Sequence, residues 1–277
     1  MGHPQIAAFA RLANGGAKPT RSIAGQHTLF NRTIHGMAYD PVRDEILVPA
    51  YHGFAILTFR GDADGDASPV RKIFGKNTQL FNPTNVSIDP VHGEIFVAQG
   101  NRVLVFNRDA NGDVAPIRIL EGPDTGFLRR SNDNQRVSID PVRNLLMASG
   151  AGGIRIFDRT ANGNVKPLRF ITGPGAPDVR LLTINPDNGM IFGAVRAGEV
   201  FGGASGEDIS GRYGLDDYVG VWSVYDDGNA PPRLTIGGPN LLLKDARGIA
   251  LDARNKNVIV SDKTLNAVLT FHVPEAF

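Results

Sequence analysis

The stretch from Ala110 to Arg118 reads ANGDVAPIR, and a second stretch, SIDP, follows at Ser138 to Pro141. The first stretch contains the turn dipeptide Asn111-Gly112, whose residues readily adopt the positive φ angles of tight hairpins. The alternating residues that lead into SIDP are typical of a β-strand that ends in a turn. Both stretches recur along the chain, so a repeated β unit decides the fold.

Five copies of the pattern Pro-x-Arg-x-x-x-Gly mark the repeats, at Pro19/Arg21/Gly25, Pro69/Arg71/Gly75, Pro116/Arg118/Gly122, Pro167/Arg169/Gly173 and Pro231/Arg233/Gly237. A strand ending in Asp-Pro or a variant follows each copy, at Ala38–Pro41, Ser87–Pro90, Ser138–Pro141, Thr183–Pro186 and Ala250–Ala253. An apolar strand and a strand with an aromatic residue come next, so each unit holds four short strands. Because its arginine is the same in every unit, we expect that residue to hold blades or loops together.

Four short antiparallel strands in a unit of about 50 residues predict a blade of a β-propeller. We therefore expect an all-β fold, a single β-propeller domain over residues 1–277, with five complete repeats. The chain begins with a third and a fourth strand and ends with a first, second and third strand. The simplest closure joins the N-terminal fourth strand to the C-terminal three, which leaves a spare strand. That spare strand could be the remnant of a sixth blade, so five and six blades both stay open.

The unit resembles the blades of NHL-repeat propellers, above all bacterial ones, in which an ANGDVAPIR-like turn precedes a SIDP-like strand. Here these motifs are Ala110–Arg118 and Ser138–Pro141, and the resemblance covers nearly the whole chain. Propellers of this class usually have six blades. They include binding scaffolds, lyases and lactone hydrolases, so the resemblance implies a fold and leaves the chemistry open.

Composition excludes several classes of protein. The 277 residues include 29 basic and 28 acidic ones, a balance that speaks against a nucleic-acid partner. No apolar run is long enough to predict a membrane span, and the absence of cysteine excludes disulfides and thiolate-bound metals. A cysteine-free, turn-rich propeller suggests a bacterial protein exported to the periplasm or outside the cell, with its signal absent from this sequence. A cytoplasmic location stays open, and so does the oligomeric state.

One insertion interrupts the repeat spacing. The glycine-rich segment 197–218 lies between the second and third strands of its unit and carries five acidic residues. Strand direction in an up-and-down blade puts this loop on the upper face of the propeller, together with the loops that enter each first strand. We consider two interpretations: a tolerated insertion, or a lid or partner-binding loop.

The upper face is also where the repeats differ from one another, and they differ there in polar residues. These candidate ligand-binding residues are Tyr51, His52, Asn85, Gln99, Gln135, Arg136, Arg180, Arg196, Arg247 and Lys263. Their basic members outnumber the neighbouring acids Asp245 and Asp262. Guanidinium groups that converge on one point grip carboxylates and phosphates with paired hydrogen bonds. In the competing interpretation, these arginines pair with neighbouring acids as ordinary structure.

Two functions follow. The first is a binding or scaffold propeller that recognises an anionic small molecule, a glycan or a protein partner on its upper face. The alternative is a hydrolase or lyase acting on a small lactone, ester or sugar-acid substrate. His35 would then be the general base and Asp262 a second catalytic group, with Arg180 or Arg247 stabilising an oxyanion. Whether the protein is an enzyme stays open, and no metal site or cofactor is predicted.

Overall fold

The computed structural model describes residues 4–31, 34–127, 136–150, 152–173, 176, 179–195, 217–238 and 241–277. In these residues the secondary structure consists of β-strands and short 3-10 turns. The chain divides into two compact units, Met1–Ile119 and Leu120–Phe277, and each is described by itself.

The N-terminal unit begins with a two-stranded sheet and continues with two four-stranded blades. The first sheet consists of β1 (Ile6–Ala8) and β2 (Arg21–Ile23). Blade 1 consists of β3 (Ala38–Asp40), β4 (Glu45–Ala50), β5 (Ala55–Arg60) and β6 (Arg71–Phe74). Blade 2 consists of β7 (Asn85–Asp89), β8 (Glu94–Gln99), β9 (Arg102–Asn107) and β10 (Arg118–Glu121). Short 3-10 turns cover Tyr51–Gly53 and Lys76–Thr78.

The C-terminal unit contains two four-stranded blades and a three-stranded one. Blade 3 consists of β11 (Arg136–Asp140), β12 (Leu145–Gly150), β13 (Gly153–Asp158) and β14 (Arg169–Ile171). Blade 4 consists of β15 (Val179–Asn185), β16 (Met190–Val195), β17 (Tyr218–Ser223) and β18 (Leu234–Ile236). Blade 5 consists of β19 (Ala246–Asp252), β20 (Asn257–Asp262) and β21 (Ala267–His272). Short 3-10 turns cover Pro123–Thr125, Ala253–Asn255 and Pro274–Ala276.

The predicted all-β β-propeller is confirmed, and it has five blades. Within each blade, consecutive strands are antiparallel neighbours, as the repeat pattern predicts. The sequence also predicted that the N-terminal fourth strand completes the last blade. In the described ladders that strand, β2, pairs with the spare strand β1, with Ile6 opposite Ile23.

The second strands of blades 1 and 2 lie entirely within the core. Every residue of β4 and of β8 is buried, because both faces of these strands are covered. In blade 4, Trp222 is fully buried, and its indole nitrogen donates a hydrogen bond to the carbonyl of Ala230 at 3.1 Å. Burying apolar side chains of this kind supplies most of the stabilisation of a repeat fold.

Two repeated residues have clear structural roles. The aspartate of the Asp-Pro motif closes its turn: in blade 3 the buried Asp140 carboxylate accepts hydrogen bonds from the backbone N–H groups of Val142 and Arg143, both at 3.0 Å. In blades 1 and 2 the repeated arginine binds a glutamate of its own blade, Arg71 with Glu45 and Arg118 with Glu94. The Arg118 guanidinium donates to both carboxylate oxygens of Glu94, at 2.8 and 2.7 Å. In blade 4 the repeated Arg233 binds Asp226 instead.

Candidate functional site

Three arginines stand at the start of the first strands of blades 3, 4 and 5. Arg136 begins β11, and Arg180 and Arg247 are the second residues of β15 and β19. In the C-terminal unit, β11 packs beside β15, and β15 packs beside β19. The first strands of adjacent blades therefore bring these three residues to one region, which we call the arginine site together with Asp245.

Both Arg180 and Arg247 occupy irregularities of the strand ladder. The β15–β16 register shifts between Val179 and Leu181, which leaves Arg180 as the extra residue. The β19–β20 register shifts in the same way between Ala246 and Gly248, around Arg247. An extra residue of this kind is a β-bulge, which redirects a side chain and is over-represented next to active sites. Blades 4 and 5 thus share one local distortion, and each carries an arginine there.

Asp245 connects the two bulge arginines. Its Oδ1 lies 3.0 Å from Nε of Arg247, and its Oδ2 accepts a hydrogen bond from Nη2 of Arg247 at 3.1 Å. Nη1 of Arg180 lies 3.8 Å from the same Oδ1. The side chains keep partial access to solvent, with 18% of Asp245, 29% of Arg180 and 39% of Arg247 exposed. The competing interpretation of the sequence, in which the arginines pair with a neighbouring acid, therefore describes the contacts of Arg180 and Arg247 with Asp245.

Arg136 lies deeper, with 9% of the residue exposed. Burial, and after it repulsion from Arg180 and Arg247, lowers the pKa of its guanidinium to about 10. Charges repel in this way only where they are close and poorly screened. The arginine site is therefore a concentration of positive charge at the edge of a low-dielectric core.

A buried hydroxyl group lies beside Arg136. Ser149 is directly opposite Arg136 in the β11–β12 ladder, so both side chains point to the same face of the sheet. Ser149 is 1% exposed, and its Oγ has no hydrogen-bond partner in the described part of the chain. Because buried polar groups in proteins are normally hydrogen-bonded, this hydroxyl marks a place where a polar ligand group would be stabilised.

Asp262 and Lys263, two further predicted site residues, hold the loop that carries Asp245. The buried Asp262 carboxylate accepts hydrogen bonds from the backbone N–H groups of Lys244, Asp245 and Leu265, at 2.6, 2.8 and 2.9 Å. Burial acts to raise the pKa of Asp262, but these hydrogen bonds offset it and bring the pKa below its usual range. The backbone N–H of Lys263 donates to the carbonyl of Asp245 at 2.9 Å. These contacts give Asp262 and Lys263 a structural role. A catalytic role for Asp262 stays a prediction.

In the N-terminal unit, three predicted residues form an aromatic row. The half-buried His35 ring meets the edge of Tyr51 at a centroid distance of 4.8 Å, and Tyr51 meets His52 at the same distance. Next to them, the exposed rings of Phe54 and Phe81 are stacked at 5.2 Å. This pair was not predicted from the sequence. The signal that could have indicated it is an aromatic residue in each of two consecutive upper loops.

Gln99 and Asn85 are two further predicted site residues, and both belong to blade 2. The buried Gln99 side chain accepts a hydrogen bond from the backbone N–H of Phe81 at 2.8 Å and donates one to the carbonyl of Gln79 at 2.8 Å. It therefore fixes the loop that presents Phe81. Asn85 begins β7, opposite Ala98, and is half-buried. Gln135, Arg196 and residues 197–216 of the insertion lie outside the described residues.

Among the described residues, no group of three or more histidines, cysteines or acidic residues could hold a metal ion. The described residues also contain no helix that is long and apolar enough to cross a membrane.

Comparisons with known proteins bear on the fold. No protein-family model matches the chain, and neither does a curated protein. Among solved structures, the chain is similar to the hydrazine synthase of Kuenenia stuttgartiensis, with a TM-score of 0.56 and 10% sequence identity. The similarity covers 82% of this chain and 55% of the other, so this chain spans about half the length of that neighbour. Similarity at this identity shows the β-propeller fold alone, which is consistent with a binding or scaffold role.

Proposed function

We propose that this protein is a binding propeller that recognises an anionic small molecule at the arginine site. One observation carries the proposal: the first strands of three adjacent blades each bring an arginine to the same region, two of them on β-bulges. A bulge in the same position of two blades is a local departure from the blade pattern. The extra residue redirects a side chain and is itself left unpaired in the strand ladder.

The chemistry of the site favours an oxyanion. Guanidinium groups donate paired, charge-assisted hydrogen bonds to carboxylate and phosphate oxygens, and these are stronger than hydrogen bonds between neutral groups. An anion would also reduce the mutual repulsion that lowers the pKa of Arg136. The hydroxyl of Ser149 adds a neutral donor and acceptor beside Arg136. We infer binding rather than turnover, because Asp262 is already engaged by three backbone N–H groups.

Isothermal titration calorimetry tests the proposal. The purified protein would be titrated at constant ionic strength with succinate, citrate, a sugar acid, a phosphorylated sugar and inorganic phosphate. We expect at least one of them to bind the wild type and to bind Arg180→Gln/Arg247→Gln at least tenfold more weakly. The matched control is Arg254→Gln, an exposed arginine in the turn after β19. Equal binding by the wild type and the double variant would refute the proposal.

Two broader proposals accompany this one. The five copies of Pro-x-Arg-x-x-x-Gly and the SIDP-like strands support an NHL-like origin of the blades. The absence of cysteine and the richness in turns support export from a bacterial cell. Fractionation of cells that express the full gene, with antibodies against the folded domain, would test the location. Retention in the cytoplasm would refute export without affecting the anion site.

A further inference from the structure

We infer that Asp245 is an internal competitor of the ligand, and that the ligand is a carboxylate which takes the place of the Asp245 side chain between Arg180 and Arg247. This inference rests on the proposed function, since it names the ligand class and the control of the same site.

The contact between Arg247 and Asp245 is an ion pair with one hydrogen bond. Nη2 of Arg247 donates to Oδ2 of Asp245 at 3.1 Å, and Nε of Arg247 lies 3.0 Å from Oδ1. Oδ1 is buried and accepts no hydrogen bond from the described residues. Arg180 approaches the same carboxylate from its own strand, with Nη1 at 3.8 Å from Oδ1. The two arginines are thus already arranged around a carboxylate before any ligand arrives.

The Asp245 side chain has freedom that its backbone lacks. The backbone N–H of Asp245 donates to Asp262 at 2.8 Å, and its carbonyl accepts from Lys263 at 2.9 Å. Both anchors are backbone hydrogen bonds, so rotation of the Asp245 side chain about χ1 leaves them intact. With 39% of the Arg247 side chain exposed, an external carboxylate can approach the pair from solvent. Exchange of one carboxylate for another therefore needs a change of rotamer and no movement of the sheet.

The depth of Arg136 explains why an external ligand would win this competition. If Asp245 rotates away and nothing replaces it, its charge no longer balances those of Arg180 and Arg247, which repel Arg136. A free carboxylate can restore the lost charge and extend toward Arg136 and Ser149 with the rest of its structure. The Asp245 carboxylate is limited by its short, tethered side chain.

The test compares Asp245→Asn with wild type in titrations with acetate, succinate, citrate and inorganic phosphate. Asparagine keeps the shape of the side chain and removes its negative charge. We expect the dissociation constants of the carboxylates to fall about tenfold in Asp245→Asn. The matched control for net charge is Asp187→Asn, an exposed aspartate in the turn after β15. Circular dichroism and thermal unfolding would establish that each variant is folded.

The outcomes separate this inference from the proposed function. If Arg180→Gln/Arg247→Gln abolishes binding while Asp245→Asn binds like wild type, the competitor role is overturned and the anion site stands. An equal gain in Asp187→Asn and Asp245→Asn would also overturn it, since net charge alone would explain the effect. A gain for phosphate without a gain for the carboxylates would overturn the ligand class. No carboxylate binding by Asp245→Asn at millimolar concentration would overturn the whole inference.

Discussion

Replacing Arg136 by methionine should stabilise the fold and weaken the binding of anions. Burial and the neighbouring arginines lower the pKa of Arg136 from its usual value to about 10, which corresponds to about 3 kcal/mol of unfavourable free energy for its charged form in the folded protein. For a base with a lowered pKa, this cost is fully present below pH 10 and is relieved as the pH rises above that value. At neutral pH the folded state therefore carries all of it.

Methionine removes the charge and keeps a flexible apolar side chain of similar length in the buried position. Part of the 3 kcal/mol is offset by the loss of the contacts that the guanidinium makes, so we expect a net gain of about 1 to 2 kcal/mol. Urea unfolding at pH 7 would measure it, with Arg254→Met as the exposed control. Calorimetry on the same samples should show weaker anion binding. An unchanged or lowered free energy of unfolding would refute the idea that Arg136 is held at a cost for the sake of a ligand.

Three further predictions concern the framework around the site. Arg118→Gln leaves the buried Glu94 carboxylate without its bidentate partner and should lower the free energy of unfolding by about 2 kcal/mol. Arg118→Leu/Glu94→Leu should recover much of this loss in urea titrations. Asp262→Asn should be less stable than wild type at pH 7. The difference should shrink below pH 4, because a lowered carboxylate pKa stabilises only while the group is ionised; a constant difference from pH 7 to pH 3 would contradict this. Gly153→Ala should lower the free energy of unfolding by more than 2 kcal/mol, since the added Cβ would lie 1.9 Å from the carbonyl oxygen of Ile171. The control is Gly163→Ala, whose Cβ would meet no neighbour, so that only its positive φ costs about 1 kcal/mol in the same thermal-unfolding assay.

The blades could be predicted from the sequence because each repeated residue has a repeated task. Asp140 and its equivalents close the turn after the first strand, and Arg118 and Arg71 each bind a glutamate of the second strand. These contacts are made between residues of the same repeat unit. A residue that recurs at fixed spacing therefore indicates the same contact in each unit where its partner is present.

The arginine site was predicted only as a set of candidates, because its geometry depends on contacts between units. The repeat arithmetic placed Arg180 and Arg247 one position earlier than Arg136 relative to the following turn. In the structure this offset is the extra residue of a β-bulge. Register within a ladder is a property of two strands, and one strand's sequence does not specify it. Pairing of the arginines with Asp245 was predicted only as one alternative, since nothing in the sequence shows that Arg180 and Arg247, from different blades, meet at its carboxylate.

The blades also show how a repeat fold acquires a site that is not repeated. In blade 2, the position that corresponds to Arg180 and Arg247 is Thr84, whose hydroxyl donates to the carbonyl of Ala98 at 3.1 Å inside its own blade. That residue is buried and completes the hydrogen bonding of the strand end. In blades 4 and 5 the same position bulges and carries an arginine. The residue at one strand end can therefore differ between blades while each blade keeps its strand pairing. Two such positions on adjacent first strands, together with Arg136 on the next strand, supply the arginines of the proposed anion site.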